Sequence, residues 1–189
     1  MSNLAFDDGV RRLRESSMEF FGSKGATDEQ IEQIELNLNV NIPMSYKKFL
    51  TFFGNLVFEG REIYGWTASG FDAKSVPSVL FATKSLRERG IISETMIHFM
   101  DSGFGPSFVI DCSKMNNDRE APIYEVPAGG ISYGCDKRAD SFGEFFLKKV
   151  NEAILELSGA DASNDEPEGG NPSAEWIKNY WKNRSNDFS

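Results

Sequence analysis

His98, Asp101 and Asp111 are the residues whose types could support catalysis. His98 is the only histidine, so a Ser-His-Asp triad would have to be built on it. Asp101 and Asp111 flank the turn DSGFGPSF and could divide the acid and base roles of a hydrolase. However, His98 alternates with large apolar residues in MIHFM, and the DSG and FGP steps are typical of turns in which Asp caps its own backbone. We therefore expect no catalytic residues and a protein that is not an enzyme.

The glycines, cysteines and basic residues also lack the spacing of cofactor or metal sites. Gly129-Gly130 precedes no convincing helix, as a phosphate-binding loop would require. Cys112 and Cys135 are far apart, and no Cys/His spacing is typical of zinc. The basic cluster RRLR, at residues 11–14, is typical of the solvated face of a helix. We expect no cofactor, no metal and no bound nucleic acid.

The composition favours a cytoplasmic protein with a protein partner. The 189 residues carry a net charge of −9, which disfavours binding to phosphate backbones and suits a basic protein. Acidity of this kind is also common for solubility alone. The chain has no apolar stretch of membrane-spanning length, and its start has no signal-peptide pattern. Two widely separated cysteines are then expected to be free thiols.

Two helices are predicted in the run from Thr27 to Asn55. Thr27 is a good N-cap with Gln30 at the capping-box position, and Ile31, Ile34 and Leu38 lie on one helical face. Pro43 suits the first turn of the next helix, and Gly54 suits its end with a positive φ. Glu35 interrupts the apolar face of the first helix. It could be a general base, but a tether to nearby backbone N–H groups is the simpler interpretation.

The rest of the chain predicts mainly strands. A helix is expected over 6–21, a hairpin over 56–64, a helix over 76–89, strands at 96–100, 108–111 and 123–126, and a last helix capped by Ser141. Strands joined as hairpins, without βαβ alternation, predict an α+β fold. We expect a central, mainly antiparallel sheet flanked by N-terminal helices and a C-terminal helix.

The predicted organisation has four segments. These are an N-terminal helix (1–23), the main domain (24–157), an acidic flexible linker (158–172) and an aromatic C-terminal helix or tail (173–189). The linker is predicted from SGADASNDEPEGGNP, which is small, acidic and rich in Gly and Pro. The tail places Trp176 and Trp181 on one helical face. It could fold back on the domain, dock a partner or mediate self-association.

The ordered motifs of the main domain resemble the SUKH superfamily, which includes fungal cell-wall regulators of the Smi/Knr type and many bacterial immunity proteins. The opening signature is a capped helix with E-x-x-L, then I-P-x-x-Y-x-x-F-L, then Gly-Asn. It comprises Thr27, Ile31, Glu35, Leu38, Ile42-Pro43, Tyr46, Phe49-Leu50 and Gly54-Asn55. Similar matches follow in order at Ile63-Tyr64-Gly65, Gly103-Phe104-Gly105, Asp111, Ala139-Asp140-Ser141-Phe142 and Phe145-Phe146-Leu147. The resemblance covers roughly residues 24 to 156.

The resemblance implies an α+β domain and, in bacteria, an immunity protein. Such a protein binds a cognate polymorphic or contact-dependent toxin, often a nuclease, and neutralises it by stoichiometric occlusion. The alternative is a non-enzymatic intracellular regulatory or scaffold module, as in the fungal relatives. An acidic interface with aromatic anchors would suit a basic toxin. The candidate partner-binding residues are Glu59, Glu62, Trp66, Phe71, Asp72, Asp101 and Asp136.

Overall fold

A computed structural model describes residues 2–159 of the chain. The chain divides into two compact units, Met1–Ile154 and Leu155–Ser189, and only residues 155–159 of the second belong to the described part. The predicted tail with Trp176 and Trp181, and the predicted linker after residue 159, lie outside the described residues. No helix of the described part is long and apolar enough to cross a lipid bilayer.

The described residues form an α+β fold around an antiparallel sheet, as the sequence predicts. The sheet has seven strands, and those at residues 20–22 and 136–139 were not predicted. The strands lie in the sheet in chain order, and every neighbouring pair is antiparallel. They are β1 (Phe20–Gly22), β2 (Leu56–Phe58), β3 (Arg61–Ile63), β4 (Met96–Asp101), β5 (Ser107–Asp111), β6 (Ile123–Val126) and β7 (Asp136–Ala139). The helices are α1 (Ser2–Glu15), α2 (Asp28–Leu38), α3 (Met44–Phe53), α4 (Val79–Glu88) and α5 (Phe142–Leu157).

Three predicted boundaries are wrong. The N-terminal helix ends at Glu15, and residues 20–22 instead form the edge strand β1. Because this strand has only three residues, it is too short to show the alternation by which strands are recognised. The helix predicted over 76–89 begins at Val79, since Ser78 is its N-cap and Pro77 precedes it. Similarly, Pro43 is the N-cap of α3 and lies just before its first turn.

Apart from the position of Pro43, the local signals in the run from Thr27 to Asn55 are confirmed. Thr27 and Gln30 form a reciprocal capping box at the start of α2. Glu35 is a structural tether, as expected. Its carboxylate accepts the N–H of Ile42 at 2.7 Å and pairs with Lys47 at 2.8 Å. Gly54 ends α3 with φ at 68°, a conformation that favours glycine.

An aromatic core lies between the helices and one face of the sheet, which we call the helix face. Phe49 of α3 and Phe142 of α5 have ring centroids 5.2 Å apart, and Phe99 of β4 lies 5.4 Å from Phe142. Phe6 of α1 packs against Phe146 at 5.2 Å. Because these rings come from α1, α3, α5 and the sheet, burying them fixes the helices against the strands.

A buried carboxylate from a loop holds the start of α3. Pro43 has no side chain that could cap the helix, and Glu120 takes this role. Its carboxylate accepts the Ser45 N–H at 2.9 Å and the Ser45 hydroxyl at 2.6 Å. The Ser45 oxygen in turn accepts the Gly143 N–H at 3.1 Å, at the start of α5. Glu120 therefore links the loop before β6 to two helix N-termini.

Helix α4 supplies hydrogen-bond partners for the backbone groups of β4 that β3 does not pair with. Strand β3 pairs with β4 only at Ile63 and Met100. Thr83 of α4 accepts the His98 N–H at 3.1 Å and donates its hydroxyl to the His98 carbonyl at 3.4 Å. Arg87 donates to the Met96 carbonyl in the same region. These side chains satisfy backbone groups that would otherwise be buried without partners.

Candidate partner-binding surface

A row of side chains crosses the sheet on the face opposite the helix face, which we call the second face. Residues directly opposite each other on neighbouring strands share a face. Phe21 lies opposite Val57, which lies opposite Glu62. Since Ile63 pairs with Met100, Glu62 comes next to Asp101 of β4. The row therefore begins with apolar residues on β1 and β2 and ends with two carboxylates on β3 and β4.

Asp101 is held by three hydrogen-bond donors. Its Oδ1 contacts His98 Nε2 at 2.9 Å and accepts the Ser107 hydroxyl at 2.8 Å. Its Oδ2 accepts the Tyr64 hydroxyl at 2.8 Å. The side chain of Asp101 is nevertheless 51% exposed, whereas His98 is only 4% exposed. Three buried residues thus present one carboxylate in a fixed orientation at the surface.

A β-bulge brings His98 and Asp101 to the same face. In a regular strand, residues three apart point to opposite faces. Here His98 lies opposite Val109, and Met100 lies opposite Phe108, so β4 has one extra residue at Phe99. The extra residue shifts the alternation and re-aims Asp101 toward His98.

The electrostatics of this cluster favour a permanently charged Asp101. The pKa of Asp101 is lowered from 3.8 to about 2, chiefly by the hydrogen bond from His98, with smaller contributions from Ser107 and Tyr64. Partial burial opposes this shift. The pKa of the Tyr64 hydroxyl is raised, mainly by burial and then by its bond to Asp101. The pKa of Glu62 is raised, mainly by burial and then by the charge of Asp101.

This geometry differs from that of a catalytic triad. A triad needs a serine hydroxyl bonded to the histidine that will remove its proton. Here both Ser107 and His98 bond to the carboxylate of Asp101, so the serine hydroxyl is not bonded to the histidine as a triad requires. The buried His98 Nδ1 has no hydrogen-bond partner within the described residues. What the cluster can do chemically is pair with a positively charged group at Asp101 and Glu62.

Asp101 and Asp111 lie too far apart to act together. Asp111 is opposite Met96, five residues before Asp101 along β4. At about 3.3 Å per residue, the two positions are separated by roughly 17 Å. Paired carboxylates in glycoside hydrolases lie about 5 to 9.5 Å apart. Asp111 instead caps the turn after β5, where it accepts the N–H and the hydroxyl of Ser113.

The β4–β5 hairpin carries an exposed aromatic ring that is close to Asp101 in the sequence. Phe104 lies at the hairpin tip between Gly103 and Gly105, which have φ of 83° and 110°. Its side chain is 95% exposed. The Ser102 hydroxyl accepts the Phe104 N–H at 3.2 Å and helps to fix the turn. The tip therefore presents a large apolar side chain three residues after Asp101.

The other predicted interface residues are dispersed over the fold. Glu59 lies in the β2–β3 turn with φ at 42°. Trp66 and Phe71 pack edge to face at 5.1 Å, and Asp72 is the exposed residue that follows. Asp136 begins β7, at the opposite edge of the sheet from β1, with its side chain 80% exposed. Among the predicted residues, the structure brings only Glu62 and Asp101 together in this cluster.

Sequence reasoning missed several members of this surface, including Val57 in the middle of the row. Tyr64 and Ser107 hold Asp101, and Phe21 and Phe104 are its exposed aromatic residues. The Gly-Phe-Gly sequence at 103–105 was a usable signal for Phe104, because a phenylalanine between two turn glycines has nowhere to be buried. Nothing in the sequence indicates that β1 and β4 contribute to one row, since that depends on the pairing of four strands.

Comparison with known families assigns the scaffold that carries this surface. The family model SUKH_6, described as SMI1-KNR4 cell-wall, matches residues 28–146. The match runs from the first residues of α2 into α5 and covers more than half of the 189 residues. It includes Glu62, Asp101 and Phe104, whereas Phe21 precedes it. The chain is a member of the SUKH superfamily, in the SMI1-KNR4 family.

Proposed function

We propose that this protein is a bacterial immunity protein that binds a cognate toxin and neutralises it by stoichiometric occlusion in the cytoplasm. Membership of the SMI1-KNR4 family carries the proposal, because the superfamily includes many bacterial immunity proteins. The presented carboxylates of Glu62 and Asp101 supply a physical means of recognition. The proposed function is binding, with no turnover of a substrate.

The chemistry of the cluster supports binding in preference to catalysis. A general base must carry a free lone pair at a pKa close to the working pH. The pKa of Asp101 is lowered to about 2, and its oxygens already accept three donors. A carboxylate of this kind is a weak base and a good fixed negative charge. It is suited to pairing with a cation on a partner.

The overall charge supports a basic partner. The net charge of −9 attracts a positively charged protein and accelerates its association. A nuclease is one such partner, since its substrate-binding surface must be basic to contact phosphates. Carboxylates held at a protein surface can take the place of those phosphates. We propose that the toxin is basic and acts in the cytoplasm, and that a nuclease is one candidate.

Co-expression with the toxin encoded beside this gene tests the proposal. We expect cells that carry both genes to survive, and the two proteins to elute together from a size-exclusion column in a fixed ratio. Cells with the toxin alone should stop growing. If the toxin still kills in the presence of this protein and no complex forms on the column, the proposal fails for that pair.

A further inference from the structure

The part of the second face on β1 to β4 combines exposed apolar residues with acidic ones. Farther along this face, Leu86 of α4 covers Met96 and Val109. Phe21 is 68% exposed and Phe104 is 95% exposed, which is unusual for large aromatic side chains. Glu62 and Asp101 lie between them in the row and the adjoining hairpin. Strands are spaced about 4.8 Å apart, so the row spans roughly 14 Å from β1 to β4. This length matches a short segment of a protein partner.

The described residues offer neither carboxylate of the row a lysine or arginine as an ion-pair partner. Other exposed acids of this chain pair with a base, as Glu15 does with Arg11 and Asp7 with Lys48. Within residues 2–159, neither Glu62 nor Asp101 forms an ion pair with a lysine or an arginine. Like charges on neighbouring strands repel each other and destabilise the sheet. A cation from a partner would remove this repulsion. Its binding should therefore be more favourable than the formation of one ordinary surface ion pair.

The hydrogen bonds beneath Asp101 reduce the entropy lost on binding. Tyr64, His98 and Ser107 already fix the orientation of its carboxylate. A preorganised group loses little rotamer freedom when a partner arrives. A guanidinium group is the cation best matched to fixed carboxylates, because its planar N–H groups form parallel hydrogen bonds to two oxygens.

We propose that the row Phe21–Val57–Glu62–Asp101, together with Phe104, is the docking surface for a protein segment that presents an arginine between apolar side chains. The arginine pairs with Glu62 and Asp101. Its apolar neighbours cover Phe21 and Val57 on one side and Phe104 on the other. This inference rests on the proposed function and names the surface and the chemistry by which the toxin would be recognised.

A peptide titration tests the surface without any toxin. The full chain, labelled with ¹⁵N, is titrated with a short peptide in which arginine alternates with leucine. We expect the largest amide shift changes at positions 57, 62, 101 and 104. A matched peptide with glutamate in place of arginine should give none of them. Shift changes that fall elsewhere, or that are equal for both peptides, would overturn the proposal.

Substitutions in the same titration separate the surface from general acidity. We expect the double variant Glu62→Gln with Phe104→Ala to weaken peptide binding by about tenfold or more, the size typical of central interface residues. The matched control combines Glu32→Gln with Leu36→Ala, which removes an exposed acid and an exposed apolar side chain from α2. The control should bind within about twofold of wild type. Equal loss in both variants would contradict the proposal.

The toxin assay then distinguishes the surface from the proposed function. If wild type protects cells and the Glu62/Phe104 variant does not, while the α2 control does, both proposals hold. If wild type and the Glu62/Phe104 variant protect equally, the docking surface is wrong and the proposed function stands. If wild type does not protect, the proposed function fails for that toxin, and the peptide titration decides the surface independently.

Discussion

Replacing Asp101 by asparagine tests whether the carboxylate is held as the geometry indicates. The substitution keeps the shape of the side chain and removes its charge. Tyr64, His98 and Ser107 then lose a charged acceptor, and hydrogen bonds to charged groups are worth more than neutral ones. We expect Asp101→Asn to lower the free energy of unfolding at pH 7.

The magnitude follows from the shift in pKa. The folded-state pKa of Asp101 is lowered from 3.8 to about 2. A shift of this size corresponds to roughly 2.4 kcal/mol at about 1.36 kcal/mol per pKa unit. Because the side chain is 51% exposed, solvent screening reduces the contribution, and we expect about 1 kcal/mol.

The sign of the pH dependence follows from the lowered pKa. Ionised Asp101 stabilises the folded state, so its contribution is fully present above its unfolded-state pKa near 3.8. It is lost as the pH falls through about 2. The difference in stability between wild type and Asp101→Asn should therefore become smaller between pH 4 and pH 2.

Urea unfolding followed by circular dichroism at pH 7, 5, 4 and 3 measures this difference. Asp136→Asn is the matched control, because the Asp136 side chain is 80% exposed. Its difference from wild type should stay close to zero throughout. The reasoning is refuted if Asp101→Asn is as stable as wild type at pH 7, or if its difference from wild type does not change between pH 5 and pH 3.

Three further predictions concern the scaffold. Glu120→Ala should lower the free energy of unfolding by about 3 kcal/mol, because the N–H and the hydroxyl of Ser45 lose a buried acceptor. Glu120→Gln should lower the free energy of unfolding by less, and equal losses of the two variants in urea unfolding would contradict the role of Glu120 as this acceptor. Gly65→Ala should cost about 3 kcal/mol, because a Cβ at residue 65 would overlap the carbonyl oxygen of Gly54; an unchanged urea midpoint would show that this contact is not tight. The Cys112 thiol should resist iodoacetamide, because burial raises its pKa to about 12 and leaves roughly one thiolate in ten thousand at pH 8. Mass spectrometry would contradict this prediction if Cys112 were modified as fast in the folded chain as in urea.

The α2–α3 run could be predicted because its determinants are local. A capping box joins residues three apart, and Gly54 needs its positive φ only because a helix ends there. Glu35 was predictable as a tether because one of its oxygens accepts the N–H of Ile42, just seven residues later. In each case the interacting groups are close in the chain. The sequence pattern therefore contains the whole interaction.

The Asp101 cluster could not be predicted, because it depends on a bulge and on non-local pairing. Regular alternation places His98 and Asp101 on opposite faces, so the sequence argues against their contact. Only the extra residue at Phe99 reverses this. Tyr64 and Ser107 come from β3 and β5 regions whose register is set by the whole sheet. The sequence predicts that Asp101 caps its own backbone in a turn, which is wrong, because Asp101 ends β4 and its carboxylate contacts three side chains.

The family signature and the proposed surface meet at Tyr64. Tyr46, in the signature helix α3, donates its hydroxyl to the Tyr64 carbonyl at 2.7 Å, and the pair is buried. The side chain of Tyr64 leaves the sheet on the second face and donates to Asp101. Tyr64 thus has its backbone held by the scaffold, while its side chain holds the Asp101 carboxylate. Substitution of Glu62, Phe104 or Phe21 should leave the core intact, because these three side chains hold none of its helices. Substitution of Tyr46 or Gly65 should disturb it, since each fills or limits a buried contact near the end of β3.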